Sequence, residues 1–180
     1  MEIVAKRVLL RDFTEGDLPE LEAWHADPRY AEFWPEGVSA SRTRELLTLF
    51  RRWAVEHPRR NSQLAIASLG PAGLIGCCGL RREGLTAGRA EFGIEVAPRW
   101  WGQGYATEAA RALLSFGFRE LGLQEVRGVS VTENARVTRM VSRLGFVPVG
   151  SPAGPAWLAA RGWSQTEWQL TRARWHTTAA

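Results

Sequence analysis

The stretch Trp101-Gly-Gln-Gly-Tyr-Ala-Thr-Glu-Ala109 sets two glycines one residue apart, where an alternating apolar segment gives way to a helical pattern. The first N–H groups of a helix have no intrahelical acceptor, and the helix dipole adds partial positive charge there. Gly102 and Gly104 let a bulky pyrophosphate approach the main chain with no Cβ in its way. The chemistry this implies is retention of a phosphorylated cofactor between residues 102 and 107. Just upstream, Glu91-Phe-Gly-Ile-Glu-Val-Ala-Pro98 carries two carboxylates four residues apart. On a strand Glu91 and Glu95 share a face, where either can serve as a general base if its pKa is raised. The plainer reading leaves both on a solvated face, with Phe92, Ile94 and Val96 toward the core.

Other phosphate-binding and metal chemistries lack their residues. No Gly-Lys-Ser/Thr is present, which excludes a nucleoside-triphosphate loop. Thr107 stands where a third glycine of a dinucleotide fingerprint is needed, and no acidic residue caps a parallel strand about 20 residues on. Cys77 and Cys78 are adjacent inside an apolar run and read as small buried hydrophobes. With His25, His57 and His176 scattered, no metal-ligand spacing exists.

These residues need a scaffold, and the periodicity supplies one. Val4 to Arg11 reads as a strand, and Thr14-Glu-Gly-Asp17 as a capping box opening a helix that ends near Asp27-Pro28. Ser39 or Ser41 caps a second helix running to about His57. Strands follow at about 62–68, 74–80 and 89–97, with turns short enough for an antiparallel meander. Ala106, Ala109, Ala110, Leu113, Leu114, Gly117 and Leu121 form the apolar stripe of the helix after the glycine turn. Val126 to Thr132 is a strand, Asn134 to Leu144 a helix, and Phe146 to Val149 the start of another strand. Residues 150–162 form a loop with at most a helical turn, and Thr166 to Arg174 is the last strand. One mixed α/β domain over residues 1–176 is expected, with 177–180 a frayed tail.

The 180 residues carry a net charge of +4, distributed unevenly. Between Asp12 and Glu36 the acids Asp12, Glu15, Asp17, Glu20, Glu22, Asp27, Glu32 and Glu36 face only Arg29, whereas arginines dominate from Leu121 onward. A uniform basic face for nucleic acid would not look like this. The pattern suits an acidic end for a cation and a basic end for an anion, or else two solvated faces. No apolar run is long enough to span a membrane, and the first residues lack a signal peptide's apolar region. A cytoplasmic protein with no nucleic-acid or membrane partner is expected, as monomer or homodimer.

In order and spacing these segments resemble the GNAT superfamily of acyl-coenzyme A N-acetyltransferases, and within it the branch of ribosomal-protein N-terminal acetyltransferases. Leu9-Leu-Arg-Asp-Phe-Thr-Glu-Gly-Asp-Leu18 resembles that branch's opening and Trp101 to Ala109 its pyrophosphate loop. Asn134 with Arg143-Leu-Gly-Phe146 resembles its penultimate helix, and Arg172-Ala-Arg-Trp175 its ending. The resemblance implies a mostly antiparallel α+β sheet of about seven strands flanked by helices, with the fourth and fifth strands splayed. It implies acetyl-CoA as co-substrate and no metal. The pyrophosphate would lie on the amides of Gly102, Gln103, Gly104, Tyr105, Ala106 and Thr107. The pantetheine arm would lie between the strands, near Asn134, and a backbone N–H near Glu95 or Val96 would polarise the thioester. Arg99, Arg136 and Arg139 are candidates for phosphate contacts. The acceptor is a primary amine that Glu91 or Glu95 deprotonates: a protein or peptide N-terminus first, a small amine such as an aminoglycoside, polyamine or amino-acid derivative second. Trp24, Phe33 and Trp34 lie in the acidic segment that borders the acceptor site in the family, an aromatic mouth suited to a cation.

Two departures stand out. Many relatives place a tyrosine four residues before the Gly-Phe pair, as acid toward the leaving thiolate, and the ribosomal branch often has a serine three residues after the asparagine. Val141 and Val137 occupy those positions, and neither donates a proton. A non-catalytic acyl-CoA-binding module is the alternative they raise. Asn134 serves equally as a helix cap, and Glu108, in the first turn of the glycine-loop helix, reads as structural.

Overall fold

The computed structural model describes residues 1–33 and 38–179. One sheet of eight strands runs in the order β1-β2-β3-β4-β5-β6-β8-β7. Its strands are β1 (Glu2–Val4), β2 (Val8–Arg11), β3 (Asn61–Ser68), β4 (Leu74–Arg81), β5 (Arg89–Val96), β6 (Glu125–Val131), β7 (Val147–Gly150) and β8 (Gln165–Thr171). Every neighbouring pair is antiparallel except β5 and β6. The helices are α1 (Leu18–His25), α2 (Pro28–Ala31), α3 (Ala40–Val55), α4 (Tyr105–Arg119), α5 (Ala135–Arg143), α6 (Ala156–Ala160) and α7 (Arg172–Ala179).

Helices cover both faces of the central strands, which is why β3 and β4 are buried at every position but the last. On one face Leu64, Ile66, Cys78 and Leu80 meet the stripe of α4, whose Ala109, Ala110, Leu113, Leu114 and Phe118 are fully buried. On the other face Ala65, Leu74 and Cys77 meet Leu21 and Trp24 of α1, Tyr30 of α2 and Leu47 of α3. The two adjacent cysteines therefore point to opposite faces, both as free thiols.

The β5–β6 pair is the feature that makes a cleft. The two strands are in register only from Arg89↔Glu125 to Glu91↔Arg127 and then part. Gly128 sits at the fork, where a Cβ would come within 3.0 Å of the Phe92 carbonyl. The expected splay is present, one strand later than numbered from sequence.

Three sequence expectations need correction. The strand expected over 4–11 is a hairpin, because Arg7 leaves the sheet: its N–H and guanidinium both go to Glu108, at 2.5 and 2.7 Å. The last strand stops at Thr171, whose hydroxyl accepts from the Arg174 N–H at 3.4 Å and starts α7. The tail is thus helical to Ala179, and Trp175 stacks on Phe118 at 5.8 Å between ring centroids. Third, the acidic segment is largely neutralised by arginines, four of them beyond residue 40. Asp12 pairs with Arg59, Glu15 with Arg51, Asp17 with Arg11, Glu20 with Arg99, Glu22 with Arg44 and Asp27 with Arg29.

Asp17 is the most buried of these acids and fixes where α1 begins. Its carboxylate accepts from both Arg11 guanidinium nitrogens at 2.7 and 2.8 Å, and from the Thr14 N–H at 2.7 Å. Burial pushes its pKa up, but Arg11 and Thr14 outweigh this and hold it below the ordinary aspartate value. A lowered folded-state pKa gives stability that is present above the unfolded value and lost as pH falls through the folded one. We expect Asp17→Asn to cost about 2–3 kcal/mol at pH 7. In urea unfolding, the gap between wild type and variant should close as pH drops below about 4.

Candidate active site

The cleft begins at the glycine turn. Gly102 and Gly104 adopt φ of +76° and +83°, the left-handed region that favours glycine, and Gly104 is the N-cap of α4. The first intrahelical bond to the cap runs from the Glu108 N–H to the Gly104 carbonyl. Among the described residues, no N–H from Gly102 to Thr107 has an acceptor within the chain. Such a run of free amides at a helix start fits a pyrophosphate.

The turn is braced from several sides. The Arg7 guanidinium bonds Glu108 and the Gln103 carbonyl and lies 4.4 Å over the Tyr105 ring. Burial raises the Glu108 pKa, but the N–H and guanidinium of Arg7 hold it below the usual carboxylate range. Glu108 is thus structural, as expected. Gln103 turns its side-chain amide to the Arg99 carbonyl, and the Trp101 indole donates to the Val96 carbonyl at 2.6 Å.

Opposite the turn stands α5. Asn134 is its N-cap, accepting from the Val137 N–H at 3.3 Å through Oδ1. Arg136, Arg139 and Arg143 follow at helical spacing and line the same cavity of about 450 Å³ as Gly102, Gly104 and Thr107. Arg136 lies 4.5 Å over the Trp101 ring. Arg143 was not among the sequence candidates, although its spacing from Arg136 and Arg139 places it on their face. Arg99 is drawn elsewhere, to Glu20 at 3.3 Å and over Trp100, and does not line the cavity.

A second cavity of about 400 Å³ runs along β5, bounded by β4, β6, α5 and Trp157 of α6. The two cavities share Phe33, Ile94, Glu95, Asn134, Val137 and Met140, so they meet at one junction. The Ala97 N–H donates to the Ile75 carbonyl. Antiparallel alternation then turns the N–H groups of Ile94 and Val96 away from β4, into the wedge where β6 has parted. Val96 is thereby able to polarise a carbonyl lying in the wedge.

Glu95 is at the junction with an open carboxylate. The Tyr30 hydroxyl donates to Oε2 at 2.8 Å, and His25 Nε2 lies 3.9 Å from the same oxygen. His25 is held behind it by its Nδ1 contact with the Thr43 hydroxyl, at 2.8 Å. Burial foremost, and the Glu95 charge after it, push the Tyr30 pKa far up, so its hydroxyl stays a donor. Burial likewise raises the Cys77 and Cys78 thiols, with the Glu95 charge adding to the effect on Cys77. Neither cysteine is a nucleophile near neutral pH. Glu91 lines the second cavity only, bound to Arg81 at 2.8 Å and mostly exposed. The structure therefore separates the two carboxylates that sequence could not.

Of the expected aromatic mouth, Phe33 lines both cavities and Trp34 falls outside the described residues. Trp24 is 4% exposed and belongs to the core, a correction that follows from its position on the inner stripe of α1. The mouth instead uses residues the sequence reading left in a loop. Trp157 lines the second cavity and packs edge-on against Trp163, whose ring lies tilted against Phe33 with 5.8 Å between centroids. Arg161 lies over both indoles and bonds the Glu32 carbonyl. Val137 and Val141 line the second cavity, and neither side chain donates a proton.

A sheet opened at one parallel pair, beside a glycine-turned helix start, defines an acyl-coenzyme A transferase. The chain belongs to the GNAT acetyltransferases: the family's acetyltransferase (GNAT) domain matches residues 7–147. It is 26% identical over 144 residues to the uncharacterized N-acetyltransferase YoaA of Bacillus subtilis (strain 168), covering 80% of this chain and 81% of that one. A GNAT-family acetyltransferase from Bacillus anthracis superposes with a TM-score of 0.77 at 24% identity, over 95% of this chain and 98% of that one. Spermidine N-acetyltransferase from Vibrio cholerae, in complex with CoA and spermine, gives 0.76 at 20% identity, over 93% and 97%. The protein is an acyl-CoA N-acyltransferase enzyme.

Proposed function

We propose that the protein transfers an acetyl group from acetyl-CoA to a primary amine entering beside Phe33 and Trp157, with a peptide N-terminus as the first class of acceptor. The observation that carries this reading is the junction: the Glu95 carboxylate stands where the cavity along the glycine turn meets the cavity beside Phe33 and Trp157. The amides of residues 102–107 hold the pyrophosphate, and Arg136, Arg139 and Arg143 add charge. The N–H groups of Ile94 and Val96 and the amide of Asn134 receive the pantetheine arm and thioester. Acetyl-CoA, when bound, supplies the activated acyl group. Glu95 takes one proton from the ammonium so that its nitrogen has a lone pair; as the C–N bond forms and the C–S bond breaks, the nitrogen gives its second proton to water. With valines at 137 and 141, the thiolate departs toward solvent and takes its proton from water.

This arrangement expects no stable acyl-enzyme, because both cysteines are buried thiols. The test is free thiol release from acetyl-CoA across a panel of peptides, amino acids, polyamines and aminoglycosides. Release that requires an amine, with a mass gain of one acetyl group on it, is expected. CoA binding without amine-dependent release anywhere on the panel would overturn the reading.

A further inference from the structure

The acceptor cavity holds a cation as well as an anion, and this narrows what can bind. Arg81 ends β4 opposite Glu91, and its side chain turns back along β5 toward Glu95. A Cβ on Gly93 would meet Arg81 Nη2 at 2.7 Å and Nη1 at 3.1 Å, so the guanidinium lies directly over Gly93. Gly93 is two residues short of Glu95 on the same strand face, roughly 7 Å away at the rise of an antiparallel strand. The guanidinium is fixed at both ends, donating to Gln63 Oε1 at 3.0 Å and Glu91 Oε1 at 2.8 Å. Of its five N–H donors, two are used by partners among the described residues. Both Arg81 and Glu95 line the cavity.

We propose that Arg81 is a specificity-determining residue that receives the carbonyl or carboxylate oxygen of an α-amino carbonyl acceptor whose nitrogen meets Glu95. This rests on the acetyl-transfer reading above. The nitrogen and carboxyl oxygen of one α-amino acid lie ~3 Å apart, and a hydrogen bond at each end extends the span to about 8 Å. That is comparable with the roughly 7 Å of strand between Glu95 and Gly93, over which the guanidinium lies. A polyamine of matching length would instead place its second ammonium against Arg81, a like-charge contact that disfavours it. The side chain of the acceptor faces Phe33, Trp157 and Trp168, so a flat apolar group completes the fit. A free amino acid and a peptide N-terminus present the same α-amino carbonyl chemistry.

The experiment compares kcat/KM for phenylalanine, phenylalanylglycine, phenethylamine and spermidine in wild type and Arg81→Met. In wild type the two α-carbonyl acceptors should exceed phenethylamine by at least about tenfold. The better of the two identifies the source, free amino acid or peptide. In Arg81→Met that ratio should fall to near one, with CoA affinity by calorimetry showing that the variant is folded. Arg81→Lys, keeping the charge without the planar fork, should retain part of the preference. Phenethylamine or spermidine matching the α-carbonyl acceptors, or a ratio that survives Arg81→Met, overturns the proposal while leaving acetyl transfer intact. Absence of acceptor-dependent thiol release with every amine overturns acetyl transfer itself.

Discussion

Gly104→Val should lower CoA affinity at least about 100-fold, about 2.7 kcal/mol by calorimetry. Gly104 is the residue that turns the chain into α4, at φ +83°, and a β-branched side chain cannot hold that conformation without strain. A Cβ there would touch Arg7 Nη2 at 3.4 Å, an ordinary contact, so the left-handed backbone is the source of the strain. Relief of that strain redirects the amides of residues 102–107 away from a common anion. Gly122→Val is the matched control, because Gly122 has φ +66° with open space around its Cβ position and lies beyond the far end of the same helix. It should lose stability while keeping CoA affinity. Equal affinity losses in the two variants would mean that general strain, rather than the amide cradle, governs binding.

Glu95→Gln should cut kcat by about 10²–10³ with CoA affinity unchanged, the range expected for a lost general base. Glutamine preserves shape and the Tyr30 hydrogen bond yet cannot take a proton. Glu91→Gln should cost less than about tenfold, since Arg81 already occupies that carboxylate. Steady-state rates at saturating acetyl-CoA decide the matter. A larger loss in Glu91→Gln would move the base to the other end of the acceptor cavity. Comparable rates in wild type and both variants would mean the amine arrives already neutral.

The donor half of the cleft was legible in sequence because its signal is local. The glycine turn, the α4 stripe and the Asn134 cap are each read within one or two turns of chain, and the structure places them together. The acceptor half was not legible, because it depends on register between strands. Gln63 and Cys77 sit inside strand readings and Arg81 just past one, and only the pairings Gln63↔Gly79, Cys77↔Glu95 and Arg81↔Glu91 bring them to one cavity. The same limit explains the acidic segment, whose charges are met by Arg51, Arg59 and Arg99, far along the chain. Two period-2 readings failed at the ends of the chain for a related reason. Ala5-Lys6-Arg7 and Arg172-Ala-Arg-Trp175 continue an apolar alternation while the backbone has already left the sheet. Glu108 draws the first away and Thr171 caps the second into a helix. The mouth aromatics Trp157 and Trp163 were hidden in a Gly- and Pro-rich stretch, where spacing carries no face.

The central claim is that one cleft runs from the amides of residues 102–107 to the Glu95 carboxylate. A crystal structure with CoA tests it most directly. The account predicts pyrophosphate oxygens within hydrogen-bond distance of those amides, and the CoA sulfur between β5 and β6 beside Glu95. A pyrophosphate bound away from the glycine turn, or a sulfur on the far side of β6 from Glu95, would contradict it.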